Sequence, residues 1–291
     1  MPYYLFAWIA SLAYALETIA GKLIGTQEVR NPYLFNFLWS FFILLLTLPF
    51  ALSNHVTLPV AWGNIMPAAL LYAASGILYL TVLQKLDISI ITPLLNLRVI
   101  LSVMLGVFFL GESYSFSSYL LMAMAVLAGF FVALDEKFSF RSFFRKGILL
   151  LILEIFVLSF FYFFIGKAVG ETGFWEASLW VDILAQLFLL LTFPFFCKDW
   201  RQLKIGNVGG IWMMAIFGVV GVLSANKAVS ENMGISNLIL SLPLSMVIVI
   251  LLALFFPKKA QVLEKHTLKV YGIRLLAAAV MLAATLKLTL F

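Results

Sequence analysis

The sequence predicts an all-α integral membrane fold: ten transmembrane helices as two inverted five-helix repeats. Three observations lead there. First, 64% of the 291 residues are hydrophobic and 11% are Asp, Glu, Lys or Arg, whereas a soluble domain carries about 25% charged residues. Second, apolar stretches of roughly 20 residues, the length a bilayer-spanning helix needs, recur along the whole chain, and mean hydropathy is +1.10. Third, the two halves of the chain share short motifs in the same order.

Hydropathy places the spans at Tyr4–Gly25, Tyr33–Ser53, Asn64–Leu83, Ile88–Leu110, Phe116–Leu134, Gly147–Val169, Phe174–Phe196, Gly209–Val229, Ile235–Phe256 and Leu268–Leu288. The first lacks the basic region and small-residue cleavage site of a removable signal, so it reads as a helix that stays. Pro49 and Pro194 fall near the ends of the second and seventh spans. Pro93 and Pro243 fall inside the fourth and ninth, where they predict kinks or irregular starts. Gly218 and Gly221 permit close packing of the eighth.

The repeat is read from matched segments. Leu44–Phe50 is LLLTLPF and Leu189–Phe195 is LLLTFPF, an offset of 145. Gly21-Lys22-Leu23-Ile24-Gly25 meets Gly166-Lys167-Ala168-Val169-Gly170, and Gly76-Ile77-Leu78 meets Gly221-Val222-Leu223, at the same offset. With a shift of two, Ile88-Ser89 meets Ile235-Ser236, and Phe108-Phe109 meets Phe255-Phe256. The charged link Asp135–Lys146 divides the repeats, 1–140 and 141–291. Five helices is an odd number, so the second repeat enters the membrane upside down. Inverted repeats let a transporter exchange inward-open and outward-open states by swapping the roles of its halves.

Charge sets orientation. Arg30, Lys85, Lys137, Arg141, Arg145, Lys146, Lys198, Arg201, Lys204, Lys258, Lys259, Lys265 and Lys269 all sit in odd-numbered links; the even-numbered links carry no Lys or Arg. The positive-inside rule then puts the odd links in the cytoplasm and both termini outside the cell membrane. The net charge of +6 is thus an orientation signal, and nucleic acid is not an expected partner. A single Cys197, with His55 and His266 far apart in links, argues against a disulfide, a metal site or a metal cofactor. No GxxxxGK[ST] loop occurs, so ATP does not drive the protein directly. No cofactor is implied.

Leu86–Glu112 (LDISIITPLLNLRVILSVMLGVFFLGE) resembles the fourth helix of the drug/metabolite transporter superfamily, of the EamA-like ten-helix type, through Pro93-Leu94 and the closing Phe108-Phe109-Leu110-Gly111-Glu112. Ten spans and a duplicated five-helix unit match as well. The resemblance implies export or import of a small molecule, such as an amino acid, a nucleotide sugar or a cationic drug. This chain differs in closing the ninth span with Pro257-Lys258-Lys259 where many relatives have Gly-Glu.

Charges inside the membrane point to the site, because each costs about 2.5–3.5 kcal/mol on insertion scales. Glu17, Arg98, Glu154 and Asp182 lie well within spans, while Lys22, Lys167 and Lys227 are near enough to helix ends to snorkel to the headgroups. Arg98 is mid-helix, with Asn96 on a neighbouring face. Its counterpart in the second half is Ser245, the last of Asn237, Ser241 and Ser245, which recur every fourth residue as one polar stripe. The fourth and ninth helices should therefore meet at the pseudo-twofold axis, around a substrate. Glu17 or Asp182 can neutralise Arg98 or hold a proton; Glu154 is also within range of water at its helix end. Tyr14, Trp39, Tyr72, Tyr79, Tyr162 and Trp180 are candidate aromatic walls or cation-stacking faces.

The expected substrate-binding set is Arg98, Asn96, Glu17, Tyr14, Tyr79, Trp39, Asp182, Asn237, Ser241 and Ser245. It would serve a transporter of a small polar or amphipathic metabolite, such as an amino acid, by alternating access. The alternative is an organic-cation exporter working through membrane-embedded carboxylates. A membrane-embedded enzyme would need paired His, a metal motif or a nucleophile with its base, and none stands out. Partners are the substrate, the lipid bilayer and protons as a candidate coupling ion; monomer and homodimer both remain open.

Overall fold

A computed structural model describes residues 2–133, 146–255 and 268–290. The Asp135–Lys146 link up to Arg145, the Pro257-Lys258-Lys259 segment, Phe256 and His266 lie outside the described residues, as does the boundary between repeats.

Ten helical segments follow the expected order: α1 (Tyr3–Gln27), α2 (Pro32–Ser53), α3 (Ile65–Lys85), α4, α5 (Phe116–Ala133), α6 (Lys146–Thr172), α7 (Phe174–Leu190), α8 (Ile205–Glu231), α9 and α10 (Leu268–Leu290). Two are broken. α4 runs as Ile88–Leu94 and Arg98–Phe109 on either side of a tight turn at Leu95–Leu97; α9 runs as Met233–Leu240 and Leu244–Phe255. The breaks fall at matching places, since the offset of 147 that pairs Arg98 with Ser245 carries Leu95 onto Leu242. Pro93 and Pro243 supply the chemistry: neither has an amide to give to the helix, and each disfavours helical backbone in the residue before it.

α7 ends at Leu190, six residues before the apolar stretch does. Phe193–Phe195 form a tight turn that contains Pro194, and a four-residue helix Cys197–Trp200 leads toward α8. Among the described residues seven helices, the whole of α9 among them, are long and apolar enough to cross a membrane on length and composition. α4, α5 and α7 are shorter or interrupted and pack among them.

Packing follows the repeat. The broadest contacts are α1 with α8 and α3 with α6; exchanging each helix for the one five places away maps one pair onto the other. The contacts α2·α8 and α3·α7 exchange likewise, while α2·α7, α4·α9 and α5·α10 map onto themselves. The first half of α4 lies on the second half of α9, and the second half of α4 on the first half of α9. The two broken helices thus cross antiparallel, as an inverted repeat requires. Leu44–Phe50 lies in the last turns of α2, whereas Leu189–Phe195 begins in the last two residues of α7 and runs on through the turn at Phe193–Phe195.

Small residues permit the closest approaches, which is how helices associate without a hydrophobic drive between them. A Cβ on Gly221 would stand 2.6 Å from the Tyr14 ring, and one on Gly218 would stand 2.8 Å from Glu17 Oε1 and 2.9 Å from Trp39 Nε1. Hydrogen bonds close both ends of the bundle. On one face Asn31 caps α2 and donates to Phe195 O at 3.0 Å and Asp199 Oδ2 at 2.6 Å. On the other, Thr57 Oγ1 donates to Glu176 at 2.8 Å and Asn64 to Glu171 at 2.6 Å.

Candidate functional site

The crossing of α4 and α9 borders a cavity of about 120 Å³ midway along the helices. Each wall is one helical face. α1 presents Ser11, Tyr14, Ala15 and Thr18; α3 presents Tyr72, Ser75, Gly76 and Tyr79; α6 presents Glu154, Leu158, Phe161 and Tyr162. These spacings of three and four residues follow the helical period. Trp39, Val222 and the breaks of α4 (Leu95, Arg98) and α9 (Leu240, Ser241, Leu242, Ser245) complete it.

Three charged side chains line the space: Glu17, Arg98 and Glu154, all buried. Arg98 stands at the first residue of the second half of α4, where the break frees it to face inward. Its guanidinium carbon lies 5.3 Å from the centre of the Tyr162 ring, a cation–π contact. No ion pair joins it to a carboxylate among the described residues, and its Nε has no hydrogen-bond partner. Glu154 is not at a watery helix end; it is buried and accepts from Ser75 Oγ at 3.2 Å. Glu17 and Trp39 converge over the bare backbone of Gly218, and Glu17 Oε1 has no hydrogen-bond partner.

Aromatic rings make a continuous wall. Trp39 meets Tyr72 at 6.1 Å between centroids, Tyr72 stacks on Phe161 at 5.2 Å, and Phe161 meets Tyr162 at 5.2 Å. Arg98 covers the end of that row. Opposite, Thr18 Oγ1 and the Tyr79 hydroxyl share a 2.6 Å hydrogen bond. The arrangement offers one guanidinium, two carboxylates and broad ring faces, separated from lipid by a layer of helices.

Seven of the ten expected residues line this cavity: Arg98, Glu17, Tyr14, Tyr79, Trp39, Ser241 and Ser245. Three do not. Asn96 turns outward to Ala125 O on α5 at 2.6 Å and accepts from Ser241 Oγ at 2.8 Å, so it ties the two breaks together. Asn237 bonds back to Met233 O at 3.0 Å on its own helix. The expected stripe of Asn237, Ser241 and Ser245 is interrupted, because the helix breaks at Ser241 and the spacing of four no longer keeps a common face.

Asp182 is buried in a second polar seam, between α7 and α2. Ser178, Asp182 and Gln186 recur every fourth residue on α7 and face a helix that carries Ser40 and Thr47. Each of these five side chains has a polar atom without a hydrogen-bond partner. Trp180, expected as a wall residue, instead lies near the bundle end, where it donates to Thr57 O at 2.8 Å and meets Trp62.

Sequence reasoning missed Ser11, Thr18, Ser75 and Phe161 as lining residues. Their signal was present: Ser11 and Thr18 are three before and four after Tyr14, and Ser75 is three after Tyr72. Lys22 also departs from expectation. Its side chain turns into the bundle: the buried ammonium donates to Leu83 O at 2.6 Å and Leu86 O at 2.7 Å at the end of α3. Lys167 lies over the Phe163 ring, and half-exposed Lys227 pairs with Glu231 at 2.9 Å.

Among the described residues no group of three His, Cys, Asp or Glu side chains is disposed to hold a metal ion. Residues 1–134 match the EamA-like transporter family, the resemblance expected from Leu86–Glu112. A solved crystal structure shares the fold across 98% of this chain and 96% of its own, with a TM-score of 0.69 at 14% identity. No curated protein matches the sequence.

Proposed function

On the premise of a first half that matches the EamA-like transporter family and a multi-pass helical membrane fold, we propose a secondary active or facilitative transporter. It moves a small polar or amphipathic metabolite of the amino-acid kind by alternating access about the central cavity. The observation that carries the reading is Arg98: a buried guanidinium with no ion-pair partner among the described residues, at the break of α4, facing that cavity. A permanent cation at this depth is costly unless water or a ligand meets it. A solute carboxylate would dock on Arg98, its ammonium would meet Glu17 beside Trp39, and its apolar body would lie on the Tyr72–Phe161–Tyr162 wall. Chemistry on the solute is not part of the scheme.

In this reading the repeats are 1–140 and 141–291, the Asp135–Lys146 link faces the cytoplasm of a plasma-membrane protein, and both termini lie outside. A second reading, organic-cation export, is favoured by one fact: two carboxylates, Glu17 and Glu154, line the cavity against one guanidinium. Uptake into proteoliposomes separates the two. Radiolabelled zwitterionic amino acids and quaternary ammonium compounds are tested with and without a proton gradient. Zwitterion flux lost in Arg98→Leu supports the first reading; cation flux that survives Arg98→Leu and is lost in Glu17→Gln supports the second. Flux of neither class above empty liposomes defeats both.

A further inference from the structure

Glu112 leaves the end of α4 and reaches the start of α9. The chain turns out of α4 at Gly111, whose φ of +70° suits glycine. Glu112 Oε1 then accepts from the Met233 amide at 2.5 Å, and Oε2 from the Gly234 amide at 3.2 Å and from the Tyr114 hydroxyl. Asn232 accepts from the Ile235 amide at 2.8 Å. A helix start leaves its first amides without intrahelical partners. Here two of them are satisfied by a side chain from the other repeat.

Two glycines make room for the contact, one on each helix. A Cβ on Gly106 of α4 would stand 2.9 Å from the Glu112 carboxyl carbon, and one on Gly234 of α9 would stand 2.8 Å from Tyr114 Cζ. Burial, and then the carboxylate it bonds, hold the Tyr114 phenol well above its ordinary pKa, so it stays a donor at working pH. The cluster sits at the face that carries the α4–α5 and α8–α9 links, opposite the end of the bundle where α5 and α6 connect. The offset of 147 that pairs the breaks puts Lys259 where the first half has Glu112. The sequence therefore supplies this carboxylate for one face and not for the other.

Resting on the alternating-access reading, we infer that Glu112 is a latch: it holds this face shut by tying the end of α4 to the start of α9. Hydrogen bonds to a carboxylate are stronger than neutral ones, so the latch biases the protein toward closure here. When it parts, the freed amides and the carboxylate meet water at the membrane surface rather than lipid, which keeps opening reversible. The cavity is then reached between the separated ends of α4 and α9.

Access of a thiol reagent to the cavity tests this without any knowledge of the solute. Ser11→Cys, in a Cys197→Ser background, places a thiol on the cavity wall. A membrane-impermeant maleimide is applied from each side of proteoliposomes of known orientation. Glu112→Gln should raise the labelling rate from the latch face by about tenfold and lower it from the opposite face, as a shift between two states requires. Tyr114→Phe should shift it the same way by less. Gly234→Ala, which crowds Tyr114 and leaves Glu112 in place, should do likewise and carries the test where Glu112→Gln fails to insert. Unchanged rates, or equal rises from both faces, overturn the latch alone. A thiol that no variant exposes from either side overturns the alternating-access reading together with the latch.

Discussion

The Ser241 hydroxyl donates to Asn96 Oδ1 at 2.8 Å, and so the interruption in α9 is bonded to the interruption in α4. Each residue sits at the break of its helix, and Asn96 is anchored in turn to Ala125 O of α5. The bond passes between repeats and through the pseudo-twofold crossing. Removing either partner should loosen the crossing itself. Asn96→Ala and Ser241→Ala are each expected to destabilise the protein, and a double-mutant cycle should give a coupling of about 0.6 kcal/mol, the average for interhelical hydrogen bonds in membranes, and no more than about 1.7 kcal/mol. Thermal unfolding in detergent measures it; strictly additive effects would show that the bond does not couple the breaks.

Arg98→Leu and Arg98→Lys should differ. Leu removes the costly charge, so stability should rise or hold while solute binding falls by at least about tenfold, the loss of one charge-assisted contact. Lys keeps the charge but not the planar fork or its stacking on Tyr162, and binding should recover in part. Binding measured by calorimetry alongside melting temperature decides the matter. Full binding in Arg98→Leu would remove Arg98 from the site.

Gly218→Ala and Gly221→Ala each add one methyl group where no methyl fits. The first should displace Glu17 and Trp39, the second Tyr14, and each should cost about 1–3 kcal/mol, as overpacking does. Gly206→Ala on the same helix is the control, since nothing lies within 4 Å of its Cβ position. Melting curves that rank all three alike would contradict the packing described for α8.

Asp182→Asn should leave solute affinity unchanged, because Asp182 faces the α2–α7 seam and not the cavity. Binding isotherms for the two proteins should overlay. A tenfold or larger change would bring the seam into the site.

Orientation has its own check. A reporter fused after Phe291 should read outside the cell, because Lys and Arg crowd the odd-numbered links. A cytoplasmic reading would reverse the topology and leave the repeat untouched.

Hydropathy and the internal matches were enough to read ten helical segments, their order and the inversion, because lipid imposes length and repetition imposes spacing. Most of the cavity followed from the cost of charge in lipid: Glu17, Arg98 and Glu154 all face it. The same reasoning misplaced Asp182, because burial of a charge says that it faces protein, not which seam it faces. Helix rotation decides that, and α7 turns its polar edge to α2. Asn96 and Asn237 were misplaced for another reason. A break resets the helical phase, so faces counted through Leu95–Leu97 or Ser241–Pro243 do not carry through. The role of Lys22 was hidden because α3 ends beside it, a contact 61 residues away in sequence.

That Lys22 contact has a mechanical consequence. Together with the Thr18–Tyr79 hydrogen bond, it pins α1 to α3 at two heights along their length. The broad faces α1 shares with α8 and α3 with α6 extend the clamp across both repeats. Relative sliding of α1 on α3 would tear a buried ammonium from its carbonyls. Under the proposed alternating access, strain would collect where the backbone is already interrupted, at Leu95–Leu97 and Ser241–Pro243. The two broken helices are then the joints that the proposed alternating access would use, hinged against the α1–α3–α6–α8 frame.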